Sequence, residues 1–262
     1  VQNMYYSGKN LYNSKLNYEE VIKEAVAGRQ LIRAIGFTIK ADVKDEKIFH
    51  TALEKMGIEV SLVDGRRITD AANLELITMV YAGKLNKSIV AQLQSLSCNA
   101  VGITGADGNA YTAKKRAVQE LDYGFVGDLT QINTDFFKNL LLQNNCPVCC
   151  AVSHDGQGQL LNTNADTIAA AIAVALSRYF EVVLTYCFEK NGVLETFQDE
   201  NSVIPIIDSK TYGELKSKGI IAEGMLPKLH NCFEALEQGV QEIRIGGPKI
   251  FSENNPFTKI QK

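Results

Sequence analysis

The sequence predicts an α/β fold, a largely parallel sheet covered by helices, and three observations carry that prediction. Short runs rich in Val and Ile alternate with longer amphipathic stretches along the 262 residues, which is the pattern of repeated βαβ units. Polar and Gly-containing turns follow several of the short runs, where such sheets lead from strand into helix and bind their ligands. The length allows a substantial core, at the upper end of one domain or the lower end of two. Two lobes sharing one sheet follow from this.

Taken in order, a helix over 18–27 leads to a strand over 31–39, and a helix over 46–56 to a strand over 59–63. Helices over 71–82 and 87–96 precede a strand over 100–104. Residues 123–132 read as an antiparallel ribbon, and a helix over 134–143 leads to a buried strand over 147–153. The Ala-rich stretch 165–179 reads as a helix feeding a strand over 181–186. Helices over 210–218 and 225–238 then precede a last strand over 242–245. The Gly-rich turn His154-Asp155-Gly156-Gln157-Gly158 marks the expected lobe boundary, near 153–162.

A net charge of −3 with 22% charged residues gives no single-sign field of the kind that nucleic acid or a membrane surface requires. The basic cluster Lys114-Lys115-Arg116 beside a turn reads as solvated surface. No apolar run approaches the roughly 20 residues of a membrane span, and the N-terminus reads as polar rather than as a secretory signal. A soluble, cytoplasmic protein is expected. Cys146-Pro147-Val148-Cys149 has redox or zinc spacing, but it lies in a segment read as a buried strand, where Cys acts as a small hydrophobe. His50, His154 and His230 are scattered, so no metal site is predicted.

The richest polar feature is Leu161-Asn162-Thr163-Asn164-Ala165-Asp166-Thr167, set before the apolar stretch 168–176. Asn and Asp cap helix N-termini, and the positive end of the helix dipole favours anions there. Three such side chains in five residues exceed what capping needs. Asp64-Gly65-Arg66-Arg67-Ile68-Thr69-Asp70 offers arginines that can fork onto a carboxylate or phosphate, and a Thr or Asp to cap the next helix. Gly105-Ala106-Asp107-Gly108-Asn109 permits close backbone approach. Glu223-Gly224-Met225-Leu226-Pro227-Lys228 puts a lysine in a first helical turn, against the dipole, where a bound polyphosphate would supply the missing reason. Together these loops form the inventory of a phosphoryl-transfer site, which needs positioning and cationic stabilisation more than covalent chemistry. No Walker A sequence occurs, and Ser7-Gly8-Lys9-Asn10 lacks its spacing.

From about Met56 to the C-terminus, the order and wording of the loops resembles the acetylglutamate kinases, within the amino-acid kinase family. The resemblance runs through Val63-Asp64-Gly65-Arg66-Arg67-Ile68-Thr69-Asp70, Ala82-Gly83-Lys84-Leu85-Asn86-Lys87 and Gly102-Ile103-Thr104-Gly105-Ala106-Asp107-Gly108. It continues through Gly158-Gln159-Leu160-Leu161-Asn162-Thr163-Asn164-Ala165-Asp166 and Gly224-Met225-Leu226-Pro227-Lys228. Leu184-Thr185-Tyr186-Cys187-Phe188-Glu189-Lys190-Asn191-Gly192-Val193 resembles the branch found in Bacteroidetes-type bacteria.

The resemblance implies a three-layer αβα sandwich with a mostly parallel central sheet. An acylglutamate-binding lobe would span 1–157 and a nucleotide-binding lobe 158–262. The implied reaction is ATP-dependent phosphorylation, with Mg²⁺, of the side-chain carboxylate of N-acetyl- or N-succinyl-L-glutamate, in arginine synthesis. By motif, Arg67 would hold the substrate α-carboxylate, and Asn162 and Asn164 would contact the acylated amino acid. Asp166 would orient the catalytic Lys228. Thr185, Gly224 and Met225 would lie on the nucleotide side, with Glu223 standing where the family often has a glycine. A homo-oligomer, taken as a dimer, is implied too.

The opening departs from this pattern. The family's first strand leads into a Lys-x-Gly-Gly turn and its second into three glycines, whereas this chain has Met4-Tyr5-Tyr6-Ser7-Gly8-Lys9 and Ala34-Ile35-Gly36-Phe37-Thr38. Tyr5 takes the place of a catalytic lysine, leaving Gly8, Lys9 and Gly36 to cradle phosphates. Residues 1–55 resemble instead the first βαβ unit of an NYN-type, PIN-like ribonuclease domain, through Val1-Gln2-Asn3-Met4-Tyr5-Tyr6-Ser7, Asn10-Leu11-Tyr12 and Gly28-Arg29-Gln30-Leu31-Ile32-Arg33-Ala34-Ile35. The metal-binding carboxylates of that family are missing here, which argues against nuclease chemistry. A chimera, natural or designed, joined near residues 54–60, with weakened phosphotransfer or a purely scaffolding role, is the resulting expectation.

Overall fold

The computed structural model describes residues 2–9, 34–40, 62–63, 66–187, 190–196, 198–221, 225–251 and 255–262. Its centre is an eight-stranded sheet. In chain order the strands are β1 (Gln2–Lys9), β2 (Ala34–Lys40), β3 (Leu62–Val63), β4 (Arg66–Arg67), β5 (Ala100–Ile103), β6 (Tyr111–Lys115) and β7 (Val126–Ile132). They continue with β8 (Cys146–Cys150), β9 (Val152–His154), β10 (Leu160–Thr163), β11 (Glu181–Cys187), β12 (Ile206–Ile207), β13 (Glu242–Gly246) and β14 (Thr258–Ile260). The main sheet runs β12-β14-β13-β11-β1-β2-β8-β5 and is parallel except where β13 meets β14. One row of paired residues, Gly102, Val148, Phe37, Tyr6, Thr185 and Arg244, crosses six strands.

Burial on both faces explains why β8 and β11 read as apolar runs rather than alternating ones. Every residue of β8 is buried, and the neighbours Cys149 and Cys150 join different apolar clusters, one on each face. Burial pushes the Cys150 thiol up to about 12, so it stays neutral and packs as a small hydrophobe. All six cysteines are buried.

The helices are α1 (Ala71–Ile77), α2 (Asn86–Ser95), α3 (Thr134–Leu142), α4 (Ala165–Ser177), α5 (Ser209–Ser217) and α6 (Leu226–Glu237). On one face, Ile168, Ala169, Ile172, Ala173 and Leu176 of α4 join Val182, Leu184 and Tyr186 of β11 and Leu229, Cys232 and Leu236 of α6. The small residues of α4 let it lie close to both the sheet and α6. On the other face, Leu76, Ile77, Val80 and Leu85 pack on Cys150 and Val152. The αβα layering follows from these two apolar faces. Among the described residues no helix is long and apolar enough to cross a membrane.

Several expected elements are redrawn. Instead of two helices over 71–82 and 87–96, a helical run continues through a π-helical stretch, Thr78–Leu85, which joins α1 to α2. Thr78 Oγ1 donates to the Leu74 carbonyl at 2.9 Å, a local bond that bends helices, and the wider π turns bring Asn86 onto the sheet. There its Nδ2 donates to the Val148 carbonyl at 2.8 Å. The strand expected over 147–153 divides at Ala151 into β8, in the main sheet, and β9. With β10, β7 and β6, β9 closes a small four-stranded barrel. The expected ribbon is β7 paired antiparallel with β6, a strand that periodicity missed, as it missed β12 and β14. The strand expected over 59–63 is represented by β3, which pairs with β4 in a hairpin outside the main sheet. The expected helices over 18–27 and 46–56 lie outside the described residues. A lobe boundary after residue 157 falls in the turn between β9 and β10, whose strands pair at His154 and Leu160.

Gly105 follows β5 where the chain passes between barrel and sheet. A Cβ there would lie 2.3 Å from the Tyr111 carbonyl oxygen and 2.8 Å from Ser153 Cα. Because both obstacles are backbone, Gly105→Ala is expected to destabilise by about 1–3 kcal/mol, read as a lower urea midpoint. Asp70 caps α1 by accepting from the Asn73 N–H at 2.7 Å, and that bond holds its carboxyl below the usual carboxylate range. A depressed carboxylate contributes stability above its unfolded pKa and loses it as pH falls through the folded value. Asp70→Ala is therefore expected to cost about 1 kcal/mol at neutral pH. The deficit should vanish in urea melts carried out well below the carboxylate range.

Candidate active site

The carboxyl ends of the central strands and the mouths of α4 and α6 form the candidate site. Asn164 caps α4, its side-chain oxygen accepting from the Thr167 N–H at 3.1 Å. Asp166 follows in the first turn, where the dipole favours a carboxylate. Lys228 occupies the first turn of α6, where the dipole opposes it. Asp166 supplies the compensation: Lys228 Nζ lies 3.2 Å from Asp166 Oδ2, and the side chains are only 8% and 13% exposed. The same Nζ sits 4.3 Å from the centre of the Tyr186 ring. A pair this dry adds little net stability, because desolvation offsets attraction. Its value is placement of one cation beside two helix N-termini.

A second cluster adjoins it in sequence. Asn162, on β10, donates from Nδ2 to Thr69 Oγ1 at 3.0 Å. Thr69 is fully buried and held from both sides, its N–H donating to the Tyr123 carbonyl at 3.0 Å and its carbonyl accepting from the Phe125 N–H at 2.7 Å. Gly124 lies at φ +69°, and a Cβ there would be 2.2 Å from the Thr69 oxygen, so only glycine lets this loop close. The backbone of Arg67, in β4, is two residues from Thr69. Asn162 is thus bonded to the loop two residues beyond Arg67, while Asp166, four positions after Asn162 in sequence, pairs with Lys228.

The glycine candidates fare differently. Gly8, the penultimate residue of β1, pairs with Cys187 and Ile39, and Lys9 ends the strand beside Lys40. Ser7, just before Gly8, pairs with Tyr186, so Gly8 and Lys9 lie at the carboxyl end of β1, one and two rows beyond Tyr186. Gly36 does not lie at such an end. It pairs with Tyr5 inside β2, three rows before Gly8, or about 10 Å along the strand. Its expected place in a phosphate turn is corrected, because β2 stays extended to Lys40 between β1 and β8. Thr185 is fully buried one position before Tyr186 on the alternate face, and its hydroxyl has no hydrogen-bond partner among the described residues. Met225 precedes α6 and packs partly buried against the core, while Gly224 lies outside the described residues. The Gly105 turn is shaped internally: Asp107 Oδ2 accepts from the Thr104 N–H and hydroxyl at 2.7 and 2.8 Å.

Sequence reasoning passed over Thr69 and Tyr186. Thr69 stood beside Asp70 as an alternative helix cap, and nothing local signals a partner 93 residues away. Tyr186 read as one more apolar residue of a buried strand.

The model of the amino acid kinase family matches residues 40–247, starting earlier than the resemblance read from the loops. The protein of Cytophaga hutchinsonii named acetylglutamate kinase is 52% identical over 191 residues, 72% of either chain. The crystal structure of smu.665 from Streptococcus mutans superposes with a TM-score of 0.75 at 22% identity, covering 99% of this chain and 98% of that one. The carbamate kinase of Giardia lamblia bound to AMP-PNP gives a TM-score of 0.63 at 12% identity, covering 100% and 98%. The likeness in fold therefore includes the opening strands.

The Asn162–Thr69 bond predicts energetic coupling. In a double-mutant cycle of Asn162→Ala and Thr69→Val, urea unfolding should give a coupling of about 0.5–1.5 kcal/mol. Additive effects would show that the bond contributes nothing.

Proposed function

The chain belongs to the amino acid kinase family, and we propose that it catalyses the reaction named in its relatives, ATP-dependent phosphorylation of the side-chain carboxylate of N-acetyl-L-glutamate, a step of arginine synthesis. The observation that carries this reading is the nearly buried Lys228–Asp166 pair at the mouths of α4 and α6. In this reaction a substrate carboxylate oxygen attacks the γ-phosphorus, the bond to the β–γ bridging oxygen breaks, and ADP leaves. The carboxylate is already ionised at neutral pH, so no general base is needed. What the protein must supply is alignment and positive charge. Lys228 neutralises charge on the transferring phosphoryl group, and Asp166 holds it there.

Arg67 holds the substrate α-carboxylate, and Asn162, with Asn164 beside it, contacts the acylated amino acid. Asn162 arrives with its amide already oriented by Thr69, which lowers the ordering cost of binding. Mg²⁺ would come with ATP, held chiefly by its phosphates, and would offset their negative charge. Gly8, Lys9, Thr185, Gly224 and Met225 are assigned to the nucleotide side. The lobes meet along one continuous sheet, and the protein works as a homo-oligomer in the cytoplasm. Tyr5 stands in the place of the family's opening lysine, and turnover is accordingly weakened. Losing one such contact commonly costs factors of about 10² or more.

The test is ADP release by the full chain with N-acetyl-L-glutamate, run in parallel with N-succinyl-L-glutamate. Lys228→Ala is expected to lower kcat by about 10²–10³ with little change in either KM. Equal rates for parent and variant on both substrates would remove Lys228 from the mechanism.

A further inference from the structure

We infer that Tyr186 is a positioning residue for Lys228, its ring face fixing the ammonium beside Asp166 without using up the donors that the phosphoryl group needs. The inference rests on the kinase reaction proposed above. A lysine carries its charge on a flexible four-carbon stem, and here that charge has almost left water, at 8% exposure. Asp166, 3.2 Å away, takes one direction of approach. An ammonium has three N–H donors, so one carboxylate leaves the group free to swing. A second carboxylate would stop the swing, but it would make the cluster negative and repel the incoming phosphates. An aliphatic side chain would leave the ammonium without compensation for its lost water. An aromatic face meets both demands, attracting the cation through its quadrupole while adding no formal charge.

The platform is rigid. Tyr186 is 1% exposed, and its backbone pairs with Ser7 on one side and Ile245 on the other. Leu229 and Cys232, from the helix that carries Lys228, belong to the same apolar cluster as the ring. Lysine, ring and carboxylate therefore come from three elements whose relative placement is fixed by the core, and the ammonium inherits that placement. Burial pushes the Tyr186 phenol up from its ordinary range, so the ring presents no competing phenolate.

The experiment measures kcat and both KM values for the full chain in the ADP-release assay. Tyr186→Phe retains the ring and should keep kcat within about threefold of the parent, whereas Tyr186→Leu should lower it about tenfold or more with each KM within about twofold. Because leucine leaves a cavity, a second series places phenylalanines with successively more ring fluorines at position 186. These keep the volume while draining the negative face of the ring. A stepwise fall in kcat along that series, at unchanged melting temperature, supports the inference. A flat series, or a Tyr186→Leu protein with parental kcat, overturns it while leaving the proposed function intact. A parent with no turnover on either acylglutamate overturns the proposed function and this inference with it.

Discussion

The site depends on a single costly arrangement, a lysine and an aspartate brought almost out of water at the N-terminal ends of two helices. Neither end is comfortable alone. Lys228 opposes the dipole of its own helix, and Asp166 without a partner would be a charge in a nearly dry setting. Together they are tolerable, and only if α4 and α6 keep their spacing. The apolar faces of Ile168, Ile172, Leu229 and Leu236, all fully or almost fully buried, set that spacing.

Rigidity of the same kind runs through the region around Thr69, proposed to bind substrate. Thr69 is held by backbone bonds to Tyr123 and Phe125 and by the Asn162 amide, and Gly124 is the one residue whose backbone can close so near the Thr69 carbonyl. A loop made this way loses little freedom when a ligand arrives, which favours binding. The barrel of β6, β7, β9 and β10 carries both Asn162 and the loop that grips Thr69, so it serves as the frame of the anchoring half. The main sheet carries β11, whose Tyr186 lies under Lys228. The short run from Asn162 to Asp166 joins the two frames, and the proposed chemistry is assigned there.

Much of this was legible in the letters. Strands β5, β11 and β13 and helices α3 to α6 fall within a few residues of the spans that periodicity assigns, because each pairs a continuous apolar signal with clear caps or turns. The pairing of Asp166 with Lys228 was legible through wording alone, as a family resemblance. Errors cluster where local signals compete. The gap expected between helices over 71–82 and 87–96 is instead bridged by π turns, Thr78–Leu85. Gly36 suggested a phosphate turn, yet strand pairing on both sides keeps it extended. Short strands such as β12 and β14 carry too few residues to show a period.

By itself the sequence determined which segments could pack, because hydrophobic period and capping chemistry are local properties of the chain. It also determined the inventory of the site: arginine, amides, an acid and a lysine in their order. Only the tertiary structure decided that Thr69 meets Asn162 and that Tyr186 lies under Lys228. Those contacts join residues 93 and 42 positions apart, and no local preference encodes a distance between segments that only sheet order and helix packing bring together.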